Sequence, residues 1–155
     1  MPIDMPLLIQ QCAPTVARET MQAIVSHESR INPLAIGING GVRITRQPVT
    51  RQEAVDTARK LLAMNVSIDL GLAQINSANL NRLGLTVEQA FEPCTNLRAA
   101  ETVLRGCYDP AAQRHGPGQA ALQAALSCYN TGDYGRGLSN GYVASVYRLV
   151  KAPTQ

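Results

Sequence analysis

One carboxylic acid near the start of the chain is well placed to do chemistry. Glu28 stands in the stretch Ile24-Val25-Ser26-His27-Glu28-Ser29-Arg30-Ile31-Asn32-Pro33-Leu34-Ala35. Val16, Thr20, Met21, Ile24 and Val25 recur at three- and four-residue steps, which predicts a helix with one buried face. Pro33 forces the chain out of that helix, because it biases Asn32 away from helical angles and has no N–H to donate. Glu28 therefore falls in the last turn, where the helix dipole disfavours negative charge and the edge of the apolar stripe strips water from the carboxyl. Both effects raise its pKa. An acid that keeps its proton near neutral pH suits protonation of a glycosidic oxygen. The plain alternative is a solvated Glu at a helix end, so the rest of the chain must decide.

Other polar residues offer a setting for that acid. In Asp69-Leu70-Gly71-Leu72-Ala73-Gln74-Ile75-Asn76 the amides of Gln74 and Asn76 stand among apolar residues. Amides both donate and accept, which matches sugar hydroxyls and acetamido groups; bonding to backbone inside the core is the competing role. Asp69 is the one further acid with access to a cleft, as a second carboxylate, a helix cap or a structural hydrogen bonder. Those at 53, 56, 88, 92, 101, 109 and 133 fall on helix faces or in loops. Ser29 reads as a structural hydrogen bonder, since no Ser/His/Asp arrangement surrounds it. His27 points about 100° away from Glu28 on a helix and reads as solvent-facing or structural. His27 and His115 are isolated from each other in sequence and make no metal site, and no cofactor is indicated.

The elements that must position these groups can be read from the pattern. The chain has 155 residues, 45% apolar, with a net charge of +3, which fits one domain with a real core and too little charge to argue for nucleic acid. No stretch approaches the ~20 apolar residues of a membrane span, and residues 1–11 lack the basic start and long apolar core of a signal peptide. An export signal upstream of this start, or another route out, is then implied for any function outside the cytoplasm. The four cysteines, at 12, 94, 107 and 128, form no CxxC pair, which argues against zinc. They are either reduced and buried or joined in one or two disulfides in an oxidising compartment. Cys94 with Cys107 is the least plausible pair, since opposite ends of one helix lie too far apart.

The first helix is expected to start near Ala13-Pro14. Ile36-Gly37-Ile38-Asn39-Gly40-Gly41-Val42-Arg43-Ile44 predicts a small hairpin turning at Asn-Gly-Gly. Thr50-Arg51-Gln52-Glu53 is a capping box opening a helix to about residue 65. Ser77 and Gly84 bracket a short helix, Thr86 with Gln89 caps another, and Pro93 begins a longer one. Residues 109–118, with two Pro and two Gly, read as loop. A small-residue helix from about 119 to 129, a turn over 131–137 and a last helix from Tyr142 follow. The result is a mainly α chain with one β excursion: residues 1–11 an extension, 12–150 a single α+β domain, 151–155 a tail.

Four stretches, in order, resemble the motifs of the soluble lytic transglycosylases, relatives of goose-type lysozyme. They are Glu28-Ser29 with Asn32-Pro33-Leu34-Ala35, Gly71-Leu72-Ala73-Gln74-Ile75-Asn76, Ala125-Leu126-Ser127-Cys128-Tyr129-Asn130-Thr131-Gly132, and Gly141-Tyr142-Val143. The hairpin, the Asn-rich stretch after Gln74 and Pro93-Cys94-Thr95-Asn96-Leu97 are most similar to the branch that serves type IV secretion and conjugation. The resemblance implies a lysozyme-like fold, peptidoglycan as substrate and the periplasm as workplace. It implies cleavage of the bond between N-acetylmuramic acid and N-acetylglucosamine, with Glu28 as acid and then base and a 1,6-anhydro product. It also implies that Gln74, Asn76, Tyr129, Asn130 and Tyr142 surround the substrate, with the Tyr129 hydroxyl aimed at Glu28 and Tyr142 available to orient it. Cys128 departs from the small residue common before the Tyr-Asn pair; it either packs there or ties the motif to another segment. A hydrolytic lysozyme using Asp69 and a non-catalytic wall-binding module are the competing expectations.

Overall fold

The computed structural model describes residues 3–151. The order is α1 (Met5–Cys12), α2 (Arg18–Ser29), β1 (Ile36–Ile38), α3 (Arg51–Ala63), β2 (Ile68–Leu70), β3 (Ile75–Asn76), a 3-10 turn (Ser77–Asn79), α4 (Leu80–Leu83), α5 (Val87–Ala90), α6 (Pro93–His115), α7 (Gln119–Thr131), α8 (Arg136–Ser139) and α9 (Tyr142–Lys151). The mainly α reading holds, with one small antiparallel sheet in the order β1-β2-β3. No described helix is long and apolar enough to cross a membrane. The tail over 152–155 lies outside the described residues.

The first helix begins earlier than Ala13. Asp4 caps α1 by accepting from the Leu7 N–H, and Met5, Ile9 and Cys12 are buried, so residues 5–12 pack into the core. The helix expected at residue 13 starts at Arg18 as α2, with Met21, Ile24 and Val25 inward as their spacing demands. A core of aliphatic and small side chains from α1, α2, α3, α6, α7 and α9 joins the sheet through Ile36, Ile68, Leu70 and Ile75.

The hairpin expected over residues 36–44 is corrected. β1 pairs instead with β2, Ile36 opposite Leu70 and Ile38 opposite Ile68, and β2 turns into β3. The tight turn of the sheet is therefore Gly71–Gln74. The outward edge of β1 has no strand beside it among the described residues. The Gln47 amide takes that place, its oxygen accepting from the Ile36 N–H at 2.9 Å and its nitrogen donating to the Ile36 carbonyl at 3.0 Å. A side chain thus satisfies the backbone groups that a second strand would have paired.

The loop expected over 109–118 is also shorter than its composition suggests. α6 runs through Pro110 to His115, and Gly116, at φ 77°, ends it. An interior proline removes one helical hydrogen bond and costs about 3 kcal/mol. Here α6 is fastened just before that point, at Cys107. Cys107 is bonded to Cys128 of α7, and the Tyr134 hydroxyl donates to the Cys107 carbonyl at 3.0 Å.

The other disulfide joins Cys12, at the end of α1, to Cys94, in the first turn of α6. Cys94 and Cys107 share α6, about 20 Å apart at 1.5 Å per residue, and neither is free. In the chain-entropy account a crosslink stabilises more when it closes a longer loop. The two bridges span 82 and 21 residues. Paired Cys→Ser replacement at Cys12/Cys94 should therefore cost about 1 kcal/mol more than at Cys107/Cys128. Urea unfolding of the two double variants, analysed at equal m-value, measures the difference; equal or reversed losses would refute the loop-length account.

Candidate active site

Glu28 is one residue from the end of α2, and the exit beyond it is abrupt. Arg30 and Ile31 both adopt left-handed backbone angles, φ 54° and 63°. For a β-branched residue such as Ile31 that conformation is strained and must be held by its surroundings. Ser29 does part of the holding: its hydroxyl donates to the Val25 carbonyl and accepts from the Asn32 N–H. The Asn32 side chain then accepts from the Leu34 N–H, closing a local turn around Pro33. Both bonds of the Ser29 hydroxyl go to backbone.

The carboxyl of Glu28 lines a cleft of about 670 Å³ between the sheet and the α6–α7 pair. Oε2 accepts a hydrogen bond of 2.7 Å from the Tyr142 hydroxyl. Oε1 has no partner among the described residues, and no buried side-chain polar atom there lacks one, so Oε1 is open to the cleft. Burial is the main cause of the carboxyl's altered acidity, pushing its pKa up to about 7; the Tyr142 bond works against this, and the negative charge of Asp69 adds to it. Desolvation by the fold dominates, so the helix-end dipole invoked from sequence is not the main cause.

Of the two tyrosines expected to reach Glu28, Tyr142 does and Tyr129 does not. Tyr129 donates to the Ala73 carbonyl at 2.8 Å, not to Glu28. It lines the cleft beside Asn130, and burial raises its pKa well above the usual phenol value. Tyr142 is buried behind Glu28 and carries the contact expected of Tyr129. His27 stands edge-on to the Tyr142 ring, 5.1 Å between centroids at 83°, which is the structural role its position suggested. Asn140 accepts from the Tyr142 N–H and donates to the Asn130 side-chain oxygen. Asn130 therefore lines the cleft and also braces the turn that delivers Tyr142.

Gln74 also lines the cleft, with its amide nitrogen bonded to the Ala35 and Gly71 carbonyls at 3.1 and 3.0 Å. Its own backbone is left-handed, φ 55°. Its Oε1 lies so close over Gly37 that a Cβ there would approach to 2.5 Å, which only glycine avoids. Asn76 donates to Asp69 at 2.8 Å and to Ser67 at 3.1 Å, and its oxygen caps the 3-10 turn at the Ala78 N–H, a cap expected of Ser77. Asp69 is thereby placed in the cleft with both carboxylate oxygens engaged, one by Asn76 and one by Asn39 at 3.3 Å. Burial raises its pKa too. The second-carboxylate and structural readings of Asp69 thus meet in one residue: it shares the cleft, and it is tied down.

Sequence reasoning missed the residue that holds this platform together. Asn96, fully buried in the first turns of α6, accepts from the Ala73 N–H at 2.9 Å and donates to the Leu70 and Ala90 carbonyls at 2.8 and 2.7 Å. Gly71, at φ 79°, lies against that amide, where a Cβ would come within 2.5 Å of it. The available signal was an Asn beside Leu97, on the apolar face of the helix. Asn39, Ser67, Asn79 and Arg82 complete the polar wall and were not singled out.

The family model described as the transglycosylase SLT domain matches residues 6–143. The type IV secretion system protein virB1 of Brucella abortus is 49% identical over 155 aligned positions, covering 96% of this chain and 65% of its own length. Protein virB1 of Rhizobium radiobacter is 42% identical over 138 positions, and that of Agrobacterium fabrum 40%, each covering 88% of this chain. The chain thus spans less than two-thirds of the length of these curated relatives. No solved structure matches significantly. A family model that covers most of the chain, with relatives at this identity, establishes that the chain belongs to the SLT transglycosylase domain family.

Proposed function

We propose that the chain is a lytic transglycosylase of peptidoglycan, opening the wall locally in the periplasm for a type IV secretion or conjugation apparatus. The observation that carries the chemistry is one open, largely dehydrated carboxyl with a pKa of about 7, bonded on its rear oxygen and facing a polar cleft. The family supplies the reaction class, and the relatives' printed names supply the setting. Two disulfides support an oxidising compartment.

Glu28 in its acid form donates a proton from Oε1 to the oxygen bridging N-acetylmuramic acid to N-acetylglucosamine. As that C1–O bond breaks, the acetamido oxygen of the muramoyl residue closes on C1, so no protein nucleophile is required. Glu28, now a carboxylate, takes the proton of the muramoyl 6-hydroxyl. O6 bonds to C1, the acetamido group is released, and a 1,6-anhydro ring results. The proton count balances and water is not consumed. A hydrolase would need a second base to activate water. Asp69, with Asn76 and Asn39 on its two oxygens, is poorly free for that task.

Glu28→Gln keeps the shape and removes the proton. Release of wall fragments should fall roughly 10²- to 10⁴-fold. Mass spectrometry of the wild-type products should show anhydromuramic ends. Reducing ends would assign hydrolysis instead, undiminished digestion by the variant would remove Glu28 from the mechanism, and no digestion by the wild type would favour a binding module.

Since the acid form starts the reaction, activity should decline as pH rises through about 7. The Tyr142 hydrogen bond stabilises the charged carboxylate and holds that pKa down. Tyr142→Phe should therefore move the alkaline limb of the kcat profile to higher pH; a downward shift would contradict the cause assigned here.

The same group links stability to pH. The folded carboxyl binds its proton more tightly than the unfolded one, 7 against 4.5. Its cost to the fold is absent below about 4.5, grows between 4.5 and 7, and is full above 7. Glu28→Gln removes that cost, on the order of 3 kcal/mol at most. Thermal unfolding should show the variant gaining on the wild type between pH 5 and pH 8; a constant gap across that range would mean that the carboxyl is not raised.

A further inference from the structure

The cleft that holds Glu28 contains one cation. Arg82, in α4, is the only Arg, Lys or His side chain among its described lining residues. Its guanidinium donates one hydrogen bond, to the Asn79 side-chain oxygen at 3.1 Å. No carboxylate among the described residues lies within ion-pair distance of it, whereas Arg46, Arg59 and Arg105 each pair with a neighbouring acid. The two acids of the cleft are engaged elsewhere, Glu28 by Tyr142 and Asp69 by Asn76 and Asn39. The wall supplied by α6 and the end of α7 includes the small, uncharged residues Gly106, Thr131 and Gly132, which leave space for a branched ligand.

A guanidinium braced on one side, with its remaining donors open, is built for a carboxylate, which it can bind through two parallel bonds. In a stem-bearing strand the glycan itself offers no such group: N-acetylglucosamine is neutral, and the lactyl carboxyl of muramic acid is spent in the amide to the stem. In peptidoglycan the carboxylates belong to the peptide stems attached through the lactyl ether of muramic acid. Resting on the transglycosylase reading, we infer that Arg82 and Asn79 form a subsite for a carboxylate of the peptide stem, so that the enzyme selects stem-bearing strands over bare glycan.

The test compares two forms of one polymer: strands with intact stems, and the same strands stripped of stems by an amidase with the lactyl carboxyls so freed converted to amides, so that only the first carries carboxylates. Wild type should show the higher kcat/KM on stem-bearing strands. Arg82→Gln should lower the stem-bearing to stripped ratio about fivefold, the order expected of one solvent-accessible ion pair, and Arg82→Glu should lower it further. An unchanged ratio, or both substrates falling in the same proportion as a structural defect would cause, overturns the subsite. Binding of the two strand types to Glu28→Gln, with and without Arg82→Gln, separates this from failure of the catalytic reading. If wild type cleaves neither strand, the transglycosylase reading falls. The binding ratio still decides the subsite, which stands if Arg82→Gln abolishes a preference for stem-bearing strands and falls if it does not.

Discussion

Taking a carboxyl group out of water is the constraint around which this fold is arranged. A dehydrated Glu is unstable as an anion, and Glu28 sits where α2, the sheet and α9 close over it. The fold answers with neutralisation and with one hydrogen bond from a buried phenol. The remaining oxygen stays open to the cleft. A salt bridge in place of that phenol would have held the proton off and abolished the acid. A wholly apolar pocket would have left the charged state without support. The phenol is a compromise between these, able to donate to either form.

Keeping the carboxyl in place requires rigidity from elements distant in sequence. The strained exit at Arg30 and Ile31 persists because the next residues are fixed at Ala35. The Ala35 carbonyl accepts both from the Gly71 N–H and from the Gln74 amide. That turn is in turn saturated by Asn96 from α6 and by Tyr129 from α7. Two glycines, Gly37 and Gly71, allow the backbone and the amides to approach this closely. The disulfides fasten the same two helices, α6 to α1 and α6 to α7, so the platform rests on parts that cannot drift apart.

Much of this was legible in the sequence, and the failures share a cause. The periodicity of α2 and the proline after it placed Glu28 correctly, because both are local. The caps at Thr86 and Gly84 are local as well. Alternation over residues 36–44 was read as a hairpin, yet strand pairing depends on what else is available, and Ile68–Leu70 buries more than Val42–Ile44, where Val42 is 36% exposed. Pro110 was read as a break, although tertiary fastening at Cys107 carries the helix past it. Asn96 was invisible as a hub, since its three partners lie 6 to 26 residues away.

The division of duties between Tyr129 and Tyr142 is the most instructive of these differences, because both residues were expected to reach Glu28 and only Tyr142 bonds it. What separates them is the layer each occupies. Tyr129 stands on α7 at the cleft wall, where a free hydroxyl would compete with substrate; donating to the Ala73 carbonyl satisfies it and fixes the turn that carries Gln74. Tyr142 stands behind the carboxyl, away from the cleft lining, where its hydroxyl meets no substrate and can act only on Glu28. One phenol therefore governs shape and the other governs charge. The cleft's other acid, Asp69, is held by Asn76 and Asn39 and reaches Glu28 only through its charge, so the hydrogen bonding of Glu28 falls to Tyr142 alone.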